Sequence, residues 1–173
     1  MLKGLNVFLV GMMGSGKTTV GNILAQKLNY RFFDTDVLIE RVMGQSVSEI
    51  FATSGEDSFR DMETQVLGNL SAYTKSIIAT GGGIVIKPAN WSYLHHGVVI
   101  WLDAPVEVIL ARLADDNTRP LLQETDPEQK LNELLEKRTP LYSLADLQIH
   151  ITADQTPETI ANQIMTKIPS ILK

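Results

Sequence analysis

The residues Gly11-Met12-Met13-Gly14-Ser15-Gly16-Lys17-Thr18 could do phosphate chemistry. They fit the pattern glycine, four residues, Gly-Lys-Ser/Thr. Gly11, Gly14 and Gly16 permit backbone conformations that turn N–H groups inward around a phosphate. A helix N-terminus directly after the loop adds unpaired N–H groups and the positive end of its dipole. Lys17 is then placed for β- and γ-phosphates, and the Thr18 hydroxyl for Mg²⁺. The flanks agree with this rather than with an idle glycine turn. Residues 5–10 form a short apolar run that ends at Gly11, and Val20, Ile23, Leu24 and Leu28 follow at helical spacing.

Further along the chain are groups that could serve the same site. Asp34 and Asp36 stand two apart just after the run Arg31-Phe32-Phe33. One carboxylate could serve a metal and the other a substrate hydroxyl; alternatively, Asp36 only caps a helix beginning at Val37. Gly81-Gly82-Gly83 follows another apolar run, and reads either as a flexible turn or as a place where a ligand approaches the backbone. Arg60 and Glu63, one helical turn apart, read as a surface ion pair or as part of an anion site. Arg138 suits either a helix C-terminus or an anion, and Arg119, before Pro120, either solvent or a phosphate.

The elements that must position these groups alternate. Strands are expected at 5–10, 31–34, 76–80, 98–102 and 147–151. Helices are expected after Lys17, from Val37 to a stop at Gly44, after the capping box Ser46-Val47-Ser48-Glu49, again from Ser54-Gly55, at 88–94, from Pro105 to Leu113, after Asp126-Pro127 and after Thr156-Pro157. Residues 114–125 are polar and read as a mobile loop. Five strands separated by helices imply an α/β fold, a parallel sheet covered on both faces in three α/β/α layers. Ligands in such sheets lie beyond the carboxyl ends of the strands. The glycine loop, Asp34–Asp36 and the glycine triplet each follow a strand, so all three are expected at one edge.

Composition bounds the rest. A chain of 173 residues without repeats or linkers is expected to be one domain. A net charge of -5 argues against a nucleic-acid partner. There is no cysteine, hence no disulfide or thiolate metal site, and the histidines at 95, 96 and 150 have no ligand-like companions. No apolar run reaches membrane-spanning length. A monomer in the cytoplasm is the expectation.

In order, Gly11 to Thr18, Asp34-Thr35-Asp36, Phe59-Arg60 with Glu63, Gly81-Gly82-Gly83, Arg119-Pro120-Leu121-Leu122 and Arg138-Thr139-Pro140-Leu141-Tyr142 resemble the shikimate kinases. These are small P-loop kinases of the nucleoside-monophosphate-kinase-like group. The resemblance implies transfer of the ATP γ-phosphate to the 3-hydroxyl of shikimate with Mg²⁺. It implies ATP binding by Gly14, Ser15, Gly16, Lys17, Thr18 and Thr19, with Arg112 and Gln155 on the adenine side. Thr18 and Asp34 would serve the metal. Asp36, Arg60, Gly82, Gly83 and Arg138 would hold shikimate on a helical segment at about 36–74 and its surroundings. Lys17, Asp36 and Arg119 would be catalytic, Arg119 on a mobile lid at about 114–125. Two other readings are a kinase of another small hydroxy acid, such as gluconate, and a nucleotide-binding regulatory module without turnover.

Overall fold

The computed structural model describes residues 2–114 and 126–172. Strands β1 (Val7–Val10) and β3 (Ser76–Ala79) are buried at every residue, and β4 (Val98–Asp103) at all but its last. Continuous apolar runs of this kind belong to strands covered on both faces. β2 (Arg31–Asp34) and β5 (Leu147–His150) are more exposed and take the edges. The order is β2-β3-β1-β4-β5, with every neighbouring pair parallel. The expected strands are all present, with ends moved by one or two residues.

The helices are α1 (Lys17–Leu28), α2 (Thr35–Met43), α3 (Val47–Ser71), α4 (Pro88–Leu94), α5 (Val106–Leu113), α6 (Pro127–Tyr142) and α7 (Pro157–Ile171). Ser46, Asp126 and Thr156 cap α3, α6 and α7 as their sequences suggest. The helix expected to start at Ser54-Gly55 does so: within the span of α3, Gly55, at φ 84° and ψ 168°, leaves helical geometry and separates two helices across a kink. One boundary differs. α2 begins at Thr35 rather than Val37, because Asp34 supplies its cap.

Right-handed crossovers in this strand order send α1 to one face and α3, α4 and the α5–α6 pair to the other. The packing agrees: α1 meets α7, α3 meets α4, and α5 meets α6. One large apolar core fills both sides of the sheet, while Ile39, Ile50 and Phe59 form a smaller cluster that fixes α2 on α3. β1 and β3 are neighbours, yet the helices that follow them cover opposite faces. A crevice opens between their carboxyl ends, the usual ligand position. Register brings three loops to its rim. Ala79 of β3 lies level with Leu9 of β1 and with Asp34 of β2.

Candidate active site

The crevice is a cavity of about 820 Å³. The loop 11–18 forms one end. Gly16, at φ 99°, delivers the chain into α1 with no side-chain cap and no acidic residue in the first turn. The first-turn N–H groups are therefore left to an anion, where α2, α3, α6 and α7 use a side-chain oxygen. Gly11 allows no larger residue, since an added Cβ would come within 2.6 Å of the Leu102 carbonyl oxygen. Lys17 Nζ donates to the carbonyls of Gly11 (2.6 Å) and Met12 (2.9 Å), so its ammonium curls back over the loop. Arg112, in the last turn of α5, donates to the Gly14 carbonyl at 3.1 Å.

Asp34 does two things. Its Oδ1 accepts the N–H groups of Asp36 (3.0 Å) and Val37 (3.2 Å), and its Oδ2 accepts the Thr18 hydroxyl at 2.7 Å. The cap of α2 is thus Asp34, which corrects the alternative that gave this task to Asp36. A cap residue needs extended backbone, which Asp34 has as the last residue of β2, while Asp36 is already inside the helix. Asp36 instead lines the cavity. Thr18 and Asp34 offer two hard oxygens beside the phosphate loop. No group of three or more His, Cys, Asp or Glu among the described residues could hold a metal by itself. Two such oxygens are a set that Mg²⁺ commonly takes from a protein, the rest coming from phosphates and water.

The other end of the cavity is charged, and its charged groups are buried. Arg60 Nη1 donates to Glu63 Oε1 at 3.0 Å, and Nη2 reaches Glu56 at 3.3 Å. Glu63 is 0% exposed, Arg138 4% and Arg60 8%. The surface ion pair and the cation at a helix end are both excluded by this burial. Arg60 Nε and Glu63 Oε2 are buried and have no hydrogen-bond partner among the described residues. Burial pushes the Glu63 carboxyl from 4.5 up to about 7, against the pull of Arg60 and Arg138; Asp36 adds to the rise.

The glycine triplet explains how these charges fit. The triplet does turn the chain, with the Ile84 N–H donating to the Gly81 carbonyl and the Ile86 N–H to the Gly83 carbonyl (3.1 Å each), but none of its glycines needs a positive φ. They provide room. A Cβ on Gly83 would overlap the Arg60 guanidinium. One on Gly82 would lie 3.2 Å from Arg138 Nη1, and one on Gly81 would lie 2.7 Å from both Asp36 Oδ1 and Glu63 Oε2. The triplet is held from both sides: the Gly81 N–H donates to the Thr35 hydroxyl (3.0 Å), and the Tyr142 hydroxyl donates to the Gly82 carbonyl (2.6 Å). Tyr142 is fully buried, stacks on Trp101 at 5.6 Å, and has its phenol pushed by burial to about 12.

Of the residues singled out from sequence, Gly14, Gly16, Lys17, Thr18, Thr19, Asp34, Asp36, Arg60, Gly82, Gly83 and Arg138 all line this one cavity. Ser15 is fully buried and contributes no lining; its N–H donates to Met12 O at 3.2 Å. Gln155 is not brought to the cavity wall: its amide oxygen accepts the Thr152 N–H, and its amide nitrogen donates to Gln163 in the middle of α7. Arg119 and the lid lie outside the described residues. Sequence reasoning gave no role to Thr35 or Tyr142. Tyr142 is one helical turn after Arg138 on α6, a spacing that marks the same face.

The sequence from 13 to 169 matches the family model described as shikimate kinase. A shikimate kinase of Trichormus variabilis is 58% identical over 173 residues, all of this chain and 96% of that protein. A solved shikimate kinase of Acinetobacter baumannii, in complex with shikimate, superposes with a TM-score of 0.93 at 43% identity, covering 98% of this chain and 96% of that one. A gluconokinase of Sinorhizobium meliloti, covering 99% of this chain and 95% of that one, has a TM-score of 0.61 at 15% identity, and shares the fold alone.

Proposed function

The chain belongs to the shikimate kinase family, and from that premise we propose that this cavity transfers the γ-phosphate of ATP to the 3-hydroxyl of shikimate, giving shikimate 3-phosphate and ADP. One observation supports the substrate most: two buried guanidiniums, Arg60 and Arg138, meet a glycine backbone opposite a phosphate loop in a single cavity. A small hydroxylated carboxylate complements that arrangement, because guanidinium forks match carboxylate oxygens.

Each residue then has a task. Backbone N–H groups of Gly14, Ser15, Gly16, Lys17, Thr18 and Thr19 cradle the phosphates, and Arg112 and the Gln155 loop take the adenine side. Arg60, Arg138 and the backbone of Gly82 and Gly83 hold the shikimate carboxylate and ring. Asp36 hydrogen-bonds the hydroxyls, aims the 3-oxygen in line, and accepts its proton late in transfer. Lys17 and Arg119 neutralise the charge spread over the moving phosphoryl. Mg²⁺, held by Thr18 and Asp34, supplies further positive charge to the phosphate oxygens when bound.

We take the whole chain, built around one main core, as one domain, and the enzyme as a monomer. Within it, about 36–74 serves the substrate and about 114–125 carries Arg119. We place the enzyme in the cytoplasm, where ATP is available. The test is ADP release with Mg²⁺ and ATP, with and without shikimate or gluconate. Release that requires shikimate, and that is lost in a folded Lys17→Met variant, is the expected result. Shikimate-independent release, or none with any acid, overturns the reading.

A further inference from the structure

Glu63 is unused by the mechanism above. It is an anion where an anion must bind, fully buried against the arginine that would receive the substrate's carboxylate. Its charged neighbours come from three helices: Arg60 on α3, Asp36 on α2, and Arg138 on α6, with the Tyr142 phenol, also on α6, kept neutral by burial. Arg60 also reaches Glu56, but that side chain is 55% exposed and its charge is largely screened by solvent; counting Glu63 and the groups that act on it, two guanidiniums face two carboxylates, and these charges balance without substrate. A bound carboxylate makes three anions against two cations in a low-dielectric pocket, where an unbalanced charge is costly.

We infer that Glu63 balances the charges of Arg60 and Arg138 in the absence of substrate, and that it takes up a proton from solvent when the substrate's carboxylate joins those arginines. The geometry allows the uptake. Only Oε1 is held, by Arg60, while Oε2 has no partner among the described residues and lies against the Gly81 backbone, beside Asp36. A protonated Glu63 no longer repels Asp36. The carboxyl pushed up to about 7 is also poised to gain a proton at neutral pH.

The inference rests on shikimate being the substrate, and its consequences follow from linkage. A second anion raises the pKa of Glu63 further, so binding draws in protons above about pH 7. Well below that pH Glu63 is already protonated, and no uptake is expected. Above it, the dissociation constant for shikimate rises with pH, by at most tenfold per unit for one proton. The neutral methyl ester of shikimate should bind more weakly, without proton uptake.

The experiment is titration calorimetry of shikimate into the full chain without nucleotide. It is done at pH 5.5 and 7.5 in buffers of different ionisation enthalpy, on wild type and Glu63→Gln. The expected result is uptake of a substantial fraction of a proton at pH 7.5, little at pH 5.5, and none in Glu63→Gln at either pH. Binding whose heat is independent of buffer at pH 7.5 overturns the inference on wild type alone, even if the variant fails to fold. Unchanged uptake in a folded Glu63→Gln also overturns it. No binding of shikimate at any pH, with no shikimate-dependent ADP release, removes the functional reading as well, a distinguishable failure.

Discussion

Gly83→Ala separates the architecture of the carboxylate end from its chemistry. The added methyl would fall 2.5 Å from Arg60 Cζ and Nη1, well inside van der Waals contact. The backbone at Gly83 has no positive φ, so alanine brings no conformational strain. The far end of Arg60 must give way, and it leaves Glu63 as it moves. A charge-assisted hydrogen bond contributes roughly 1.5–3 kcal/mol, so the KM for shikimate should rise roughly 10- to 150-fold. The KM for ATP should stay within about twofold. Arg60→Ala should match this, and the double variant should be little worse than either single one, because both remove the same contact. Gly44→Ala is the control. Gly44 has φ 65° with nothing within 4 Å of an added Cβ, so alanine there should cost about 1 kcal/mol of stability and leave the KM for shikimate alone. Steady-state kinetics with each substrate varied, plus urea unfolding, decide the matter. A Gly83→Ala enzyme with its shikimate KM unchanged would show that Arg60 does not hold the substrate.

Other outcomes follow from the same geometry. Asp34→Asn keeps a competent cap for α2, since Asn caps about as well as Asp, so urea stability should change by less than about 0.5 kcal/mol; the Mg²⁺ concentration for half-maximal activity should rise, and an unchanged titration removes Asp34 from the metal. Arg119→Ala should lower kcat steeply with a smaller effect on ATP affinity, and Arg119→Lys should recover only part, because an ammonium restores charge but not the planar fork; unchanged kcat removes Arg119 from catalysis. Glu63 also makes stability depend on pH: its folded value of about 7 exceeds the ordinary 4.5, so its contribution is complete below 4.5 and is lost as pH rises through about 7. That amounts to about 3 kcal/mol, and urea unfolding between pH 5 and 8 should show wild type losing roughly 2–3 kcal/mol more than Glu63→Gln; equal losses refute the shift.

The sheet was legible because parallel strands buried on both faces are written as plain apolar runs, and the loop 11–18 because its glycines are required at fixed positions. Other features depended on distance in space. Nothing in the i, i+3 pair Arg60–Glu63 says that α6 and the triplet will bury it; a surface pair has the same spelling. β2 ends at Asp34 as expected, but nothing in the sequence placed the first residue of α2 at Thr35, which is what makes Asp34 rather than Asp36 its cap.

The glycine triplet shows why the site is one unit. Its three absent side chains correspond to contacts from three helices: Asp36 on α2 and Glu63 on α3 at Gly81, Arg138 on α6 at Gly82, and Arg60 on α3 at Gly83. Each charge reaches the cavity only because a Cβ is missing. The triplet also carries the carbonyl that receives Tyr142 and the N–H that meets Thr35, so the same backbone orders α2 and α6 around itself. A sequence reading sees three residues with no chemistry of their own. In space they are the point where β3, leaving the sheet beside β1, holds the acidic pair and the two arginines at fixed distances from the phosphate loop. Displacing that exit would move all four charges together, which is why substitutions in the triplet should alter substrate capture more than they alter the fold.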